Sequence, residues 1–191
     1  MAYKLGLAYC FWRGQELAGA SQPTIIIGHD MRLSSPALSQ ALAQGLVAGG
    51  AKVSDIGLCS TPTFYYAVAE QSAAGGIMVS ASHNPKEYNG FKIVRDRAKP
   101  VSETSGLLEL RDLVLNQPLT PASQPGNYQE LAGVLARQID YDLSLAGDQP
   151  IKPLKIVLDP ANAMGGPYFE ELLAKLPQIS LIHMNWPLDG S

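Results

Sequence analysis

Hydrophobic positions along the chain follow two spacings, and these predict strands and helices in turn. Continuous apolar or β-branched runs at 24–28, 75–80 and 154–159 are typical of strands buried on both faces. In residues 2–13, apolar side chains recur at three- and four-residue steps, which predicts a helix with a broad apolar face. Strands that alternate with helices favour an α/β fold.

The rest of the chain continues this alternation, with prolines and small polar residues at the predicted helix starts. The further predicted elements are a helix within 34–50, a strand at 51–58, a helix that Thr61 caps and Pro62 begins, a strand at 90–96, a helix at 102–116, a loop at 116–127, a helix over roughly 128–143, a helix at 168–176 and a strand at 179–186.

The segment "AGDQPIKP" (146–153) replaces the apolar rhythm with proline and polar residues and is typical of a linker. We therefore expect two α/β domains, 1–147 and 148–191. The second contains a single βαβ unit, which has few neighbours on which to close a sheet. We expect the chain to end inside that domain.

The amino-acid composition excludes some classes of function. The 191 residues are 46% hydrophobic and carry 14 basic and 17 acidic side chains, a net charge of −3. This balance lacks the basic footprint of a nucleic-acid-binding protein.

We expect no membrane span and no signal peptide, since the apolar runs are strand-sized. The two cysteines have neither metal-ligand nor disulfide-framework spacing, so we read them as buried thiols and expect a cytoplasmic protein. Oligomeric state leaves no signal in the sequence.

The first candidate site is "SASHNP", in which Ser82, His83 and Asn84 directly follow a predicted buried strand. Open α/β sheets place their ligand crevice at such carboxyl ends. The alternative is an ordinary polar turn that Pro85 ends, because Ser and Asn readily hydrogen-bond their own backbone. No Gly-x-Ser-x-Gly elbow accompanies the serine.

Two further stretches lie beside strand ends. In "GHDMRLSS" (28–35), Asp30 and Arg32 precede a helix N-terminus, a natural anion site. The alternative is an Asp–Arg pair that braces the loop, with Ser34 or Ser35 as the helix cap; both roles are compatible. On "GFKIV", Lys92 is exposed by alternation, and a merely solvated lysine is the alternative.

Together these stretches carry a family resemblance. "GHDMRLSS", "STPTFYYA", "SASHNP" and "YNGFKI" resemble, in order and spacing, the first domain of the α-D-phosphohexomutases, and "VLDPANAMGG" resembles the opening of their second domain. "YNGFKI" is similar to the bacterial phosphomannomutase/phosphoglucomutase branch. The resemblance implies a mixed, largely parallel sheet with helices on both faces, followed by the start of a second similar domain.

By resemblance, Ser82 carries a phosphoryl group that is exchanged with a hexose 1- or 6-phosphate through a hexose 1,6-bisphosphate. His83 and Lys92 match positions for proton handling and charge stabilisation, and Asp30, Arg32 and Asn84 match phosphate-binding or supporting positions. The resemblance also implies Mg²⁺, bound through the Ser82 phosphoryl oxygen and an aspartate loop, with glucose 1,6-bisphosphate or a similar compound as activator.

The 191 residues contain no Asp-x-Asp-x-Asp run and no Tyr-Asp-Ile-Arg-Gly-like first strand. We therefore expect a truncated mutase that is inactive alone. Two alternatives remain: a non-catalytic phosphate-binding or interaction module with the same fold, and a phosphoglucosamine mutase.

Overall fold

The computed structural model describes residues 1–17, 22–147 and 150–190. Within these ranges it has six α-helices and seven strands, which alternate along the chain as the pattern predicts. The helices are α1 (Ala2–Glu16), α2 (Ser35–Ala48), α3 (Thr61–Glu70), α4 (Leu107–Asn116), α5 (Val134–Leu145) and α6 (Gly165–Ala174). The strands are β1 (Thr24–His29), β2 (Lys52–Leu58), β3 (Gly75–Val79), β4 (Phe91–Arg95), β5 (Asn127–Glu130), β6 (Leu154–Leu158) and β7 (Ile179–His183).

Five of the strands form one sheet in the order β4-β3-β1-β2-β5. Strands β3, β1, β2 and β5 are parallel, and β4 is antiparallel to β3. The predicted mixed, largely parallel sheet is therefore confirmed. Strands β6 and β7 form a separate two-stranded parallel sheet.

Helices cover both faces of the larger sheet because the side chains of β1 alternate between two apolar clusters. Ile25 and Ile27 pack with α1, α2 and α4, whereas Ile26 packs with α3 and α5. All three isoleucines are fully buried. Burying one such side chain contributes about 1.5–3 kcal/mol, so this strand anchors both layers.

The structure corrects one predicted element. Residues 127–130 form strand β5 at the sheet edge, and the helix begins only at Val134. All four β5 residues are exposed, so the segment lacks the buried alternation that marks a strand. Its pairing with β2, which the local sequence does not encode, makes it a strand.

Two helix starts also differ in detail. The cap of α3 is Ser60 rather than Thr61, since Ser60 Oγ accepts from the Thr63 N–H at 3.2 Å. The predicted helix at 102–116 begins with a 3₁₀ turn closed by a Ser102–Ser105 capping box, and α4 follows the left-handed Gly106.

Part of the predicted linker, residues 148–149, lies outside the described residues. The domain boundary at 147/148 therefore stays a prediction.

Among the described residues, no helix is long and apolar enough to cross a membrane.

Both cysteines are buried free thiols, as the sequence predicts. Burial raises the pKa of Cys10 and of Cys59 to about 12, since the apolar surroundings disfavour the thiolate. Because the thiolate is the reactive species, we expect iodoacetamide to leave both unmodified in the folded chain at mildly alkaline pH. Mass spectrometry should show two alkylated cysteines only after urea is added. Modification of either one without urea would contradict this burial.

Candidate active site at the carboxyl ends of β1 and β3

The candidate site lies where the strand connections of the larger sheet diverge. From β1 the chain passes through α2 to β2 on one side, while from β3 it passes to β4 on the other. Strands β1 and β3 are neighbours, so a crevice opens between their carboxyl ends. The loop of residues 30–34 follows β1, and the loop of residues 80–90, here called the serine loop, follows β3.

Ser82 is exposed on the serine loop, in a left-handed conformation with φ of +54°. That conformation is uncommon for a residue with a side chain, and such strain clusters at functional sites. The Ser82 N–H donates to Ser80 Oγ at 3.2 Å, and the Asn84 N–H donates to the Ala81 carbonyl at 3.1 Å. A tight turn therefore presents the Ser82 hydroxyl to solvent at the strand end.

His83 lies beside this hydroxyl. Its Nδ1 is 3.3 Å from Ser82 Oγ, within hydrogen-bonding distance. Both residues and Asn84 are exposed. The serine loop thus brings together a hydroxyl and a group able to hold a proton, although the hydrogen bond is long.

Lys92 stands on β4 opposite Met78 of β3, two residues after the serine loop. Paired residues of neighbouring strands share a sheet face, so Lys92 lies on the face that α3 covers, near the carboxyl end of β3. Its side chain is partly exposed. Its ammonium has no hydrogen-bond or ion-pair partner within the described ranges of the chain. The charge of Lys92 is therefore available to a ligand.

Asp30 and Arg32 are both buried at this edge, with 6% and 7% exposure. Asp30 Oδ1 accepts from the Arg32 N–H at 3.1 Å and from Ser35 Oγ at 2.5 Å. Asp30 Oδ2 lies 3.5 Å from Arg32 Nε. The bracing role left open by the sequence is thus present, with Ser35 bonded to Asp30. Ser34 is the helix cap by position, but it makes no side-chain cap bond.

The Arg32 guanidinium reaches across to the serine loop. Nη1 donates to the carbonyls of Pro85 at 2.7 Å and Tyr88 at 2.9 Å. Nη2 donates to the carbonyls of Ser82 at 2.8 Å and Asn84 at 2.6 Å. The Arg32 side chain, on the loop of residues 30–34, therefore donates hydrogen bonds to four carbonyls of the serine loop.

Asn89 is a contributor that the sequence reasoning missed. Its Nδ2 donates to Ser34 Oγ and Ser35 Oγ, both at 2.9 Å, and its Oδ1 accepts from the Gly90 N–H at 2.8 Å. It ties the end of the serine loop to the start of α2. The available signal was the Asn-Gly pair, which by itself indicates only a turn.

The segment after β7 returns to this edge of the first sheet. A side chain at Gly190 would place its Cβ 2.2 Å from the Met31 carbonyl oxygen and 3.1 Å from the Arg32 Cα. The backbone at 190 therefore packs directly against the loop that carries Arg32.

Comparison with known proteins agrees with this architecture. Residues 1–114 match the model of the phosphoglucomutase/phosphomannomutase family, α/β/α domain I. The sheet with helices on both faces, and the serine loop at its switch point, agree with the first domain of a phosphohexomutase. The chain belongs to the phosphoglucomutase/phosphomannomutase family.

Relatives include proteins named phosphohexose mutases from Xanthomonas campestris pv. campestris, 40% identical over 160 residues that cover 84% of this chain and 36% of the relative. A protein named phosphomannomutase from Vibrio cholerae is 37% identical over 183 residues, 95% of this chain and 38% of the relative. A solved structure of a phosphoglucomutase/phosphomannomutase family protein from Burkholderia thailandensis matches with a TM-score of 0.82 at 28% identity, covering 99% of this chain and 40% of that one. The chain thus spans well under half the length of these relatives.

Proposed function

We propose that the complete protein containing this chain is a phosphohexomutase of the phosphomannomutase/phosphoglucomutase type. It interconverts hexose 1-phosphate and hexose 6-phosphate through a phosphoserine and a hexose 1,6-bisphosphate. The observation that carries the proposal is the Ser82 hydroxyl, exposed on a strained turn at the switch point, with His83 Nδ1 at 3.3 Å. The ammonium of Lys92, unpaired among the described residues, also favours a phosphate site over an ordinary turn.

The proposed reaction has two transfers. The phosphoserine gives its phosphoryl group to a free hydroxyl of the hexose phosphate: the bond between phosphorus and Ser82 Oγ breaks, a bond to the sugar oxygen forms, the sugar hydroxyl loses a proton and Ser82 Oγ takes one up. After the bisphosphate turns around, Ser82 Oγ gives its proton to His83 and attacks the other phosphorus. The bond between that phosphorus and its sugar oxygen breaks, and the sugar oxygen takes up a proton.

Ser82, His83 and Lys92 are assigned different roles in this scheme. A serine hydroxyl is a weak nucleophile, so the return transfer needs a proton acceptor near Ser82 Oγ, which is the role of His83. Lys92 stabilises the charge that builds up on the transferring phosphoryl oxygens. Asp30, Arg32 and Asn84 support the phosphate site.

Mg²⁺ and glucose 1,6-bisphosphate, or a similar activator, belong to the proposal for the complete protein, and the Ser82 phosphoryl oxygen would supply one metal ligand. Over the described ranges, no three His, Cys, Asp or Glu side chains are grouped so that they could hold a metal ion. The described residues do not form a metal site by themselves.

We also propose two domains for this chain and a cytoplasmic location for the protein. A division into domains 1–147 and 148–191 is supported by the two separate sheets. A cytoplasmic protein is supported by the two free thiols, which suit a reducing compartment.

The test is intact-mass analysis after incubation with glucose 1,6-bisphosphate. We expect one added phosphoryl group, mapped to Ser82 by fragmentation and lost in Ser82→Ala. Ser123→Ala is the control, because Ser123 is an exposed serine between α4 and β5, outside the serine loop, and it should keep the adduct. No adduct, even in a longer chain that includes an aspartate loop, would support the non-catalytic phosphate-binding module instead.

A further inference from the structure

Four of the five N–H groups of the Arg32 side chain are already hydrogen-bonded within the protein. A guanidinium has five N–H donors. Four donate to carbonyls of the serine loop at 2.6–2.9 Å. The fifth, on Nε, faces Asp30 Oδ2 at 3.5 Å. With the residue only 7% exposed, a phosphate oxygen would have to displace one of these partners to bind Arg32.

The ends of the serine loop are held by Asn89 and by the Ser80 N–H, which donates to the Gly90 carbonyl at 2.9 Å, but the stretch between them has few other contacts. Residues 82–88 are all exposed, so no apolar burial fixes them. The other backbone hydrogen bonds of this stretch are local: the Ser82 N–H donates to Ser80 Oγ, the Asn84 N–H to the Ala81 carbonyl and the Tyr88 N–H to the Pro85 carbonyl. A left-handed residue such as Ser82 persists only where its surroundings over-determine it. The Arg32 fork is the contact that ties these local turns to the rigid end of β1.

We propose that Arg32 is a positioning residue, which fixes Ser82 and its hydroxyl toward the crevice, and that it does not bind the substrate phosphate. This inference rests on the proposed function of Ser82. Asp30 in turn orients the Arg32 guanidinium. Its Oδ1 accepts hydrogen bonds from the Arg32 backbone N–H and from Ser35 Oγ, and its Oδ2 faces Arg32 Nε.

The shape of the side chain matters as much as its charge. Lysine presents a compact ammonium with three donors and no planar fork. Arg32→Lys therefore keeps the positive charge and loses the simultaneous hold on four carbonyls. Arg32→Met removes both, while keeping a long side chain in the buried position.

Hydrogen–deuterium exchange and phosphoryl uptake test the proposal together. In Arg32→Lys we expect residues 82–90 to exchange at least about 10-fold faster and trypsin to cleave faster after the exposed Lys86. Phosphoryl uptake by Ser82 from glucose 1,6-bisphosphate should slow about 10²-fold at saturating donor, with an unchanged half-saturating concentration. Circular dichroism should show a folded protein. If Arg32→Met does not fold, Arg32→Lys alone is compared with the wild-type protein.

Arg137→Lys is the matched control. That guanidinium also bonds a carboxylate, Glu70, and a backbone carbonyl, that of Ala132 at 3.1 Å, but on α5 away from the serine loop. It should change neither measurement.

Two results would overturn the proposal: unchanged exchange of the serine loop in both Arg32 variants, or a raised half-saturating concentration with an unchanged maximal rate, which is the signature of lost phosphate binding. A wild-type protein that takes up no phosphoryl group would contradict the proposed function. The exchange measurement alone would then decide whether Arg32 positions the loop.

Discussion

Replacing Lys92 with methionine in the complete protein is expected to slow phosphoryl transfer between Ser82 and glucose 1,6-bisphosphate by about 10²–10³-fold. Its ammonium stands near the carboxyl end of β3 without a protein partner among the residues described. Methionine keeps a long apolar stem against the sheet, so the main change is the loss of charge. Single-turnover mixing followed by intact-mass analysis measures the rate.

Lys86→Met is the control for this prediction. Lys86 is exposed on the serine loop itself, close to Ser82 in sequence, and its loss changes the net charge equally. We expect a change of no more than about two-fold, because an exposed charge is screened by solvent and salt. Equal slowing in the two variants would mean that overall charge, and not the position of Lys92, governs transfer.

A large loss of stability is expected from Gly45→Ala. Helices α1 and α2 pack with their backbones in contact at this position, and a Cβ at residue 45 would lie 2.0 Å from the Tyr3 carbonyl oxygen. Backbone cannot yield as a flexible side chain does, so the helices must separate. We expect the free energy of unfolding to fall by about 3 kcal/mol and the melting temperature by about 10 °C, as measured by urea and thermal denaturation.

Gly14→Ala provides the comparison for Gly45→Ala. Gly14 lies near the end of α1, is exposed, and would place its Cβ with nothing within 4 Å. Alanine has the higher helix propensity, so we expect a gain of about 0.5–1 kcal/mol. If Gly45→Ala proved as stable as Gly14→Ala, the close approach of α1 and α2 would be wrong.

Most of the larger sheet follows from local patterns. The β-branched run of β1 and the apolar steps of α1 are visible without neighbours, because strands buried on both faces and amphipathic helices carry their burial in their own composition. The exception is β5, whose exposed residues "NYQE" carry no such signal. Its conformation comes from hydrogen bonds to β2, some seventy residues earlier in the chain.

The candidate site shows the same division. The sequence by itself determined the α/β class, the strand ends that carry Asp30 and Ser82, and the family resemblance in "SASHNP", since these depend on residue type and spacing along the chain. Only the tertiary structure decided that β1 and β3 are neighbours. It also decided that the Arg32 guanidinium donates hydrogen bonds to serine-loop carbonyls about fifty residues away in the chain. A guanidinium can donate to a phosphate or to a carbonyl, so the partner it takes depends on which groups the folded chain brings within reach.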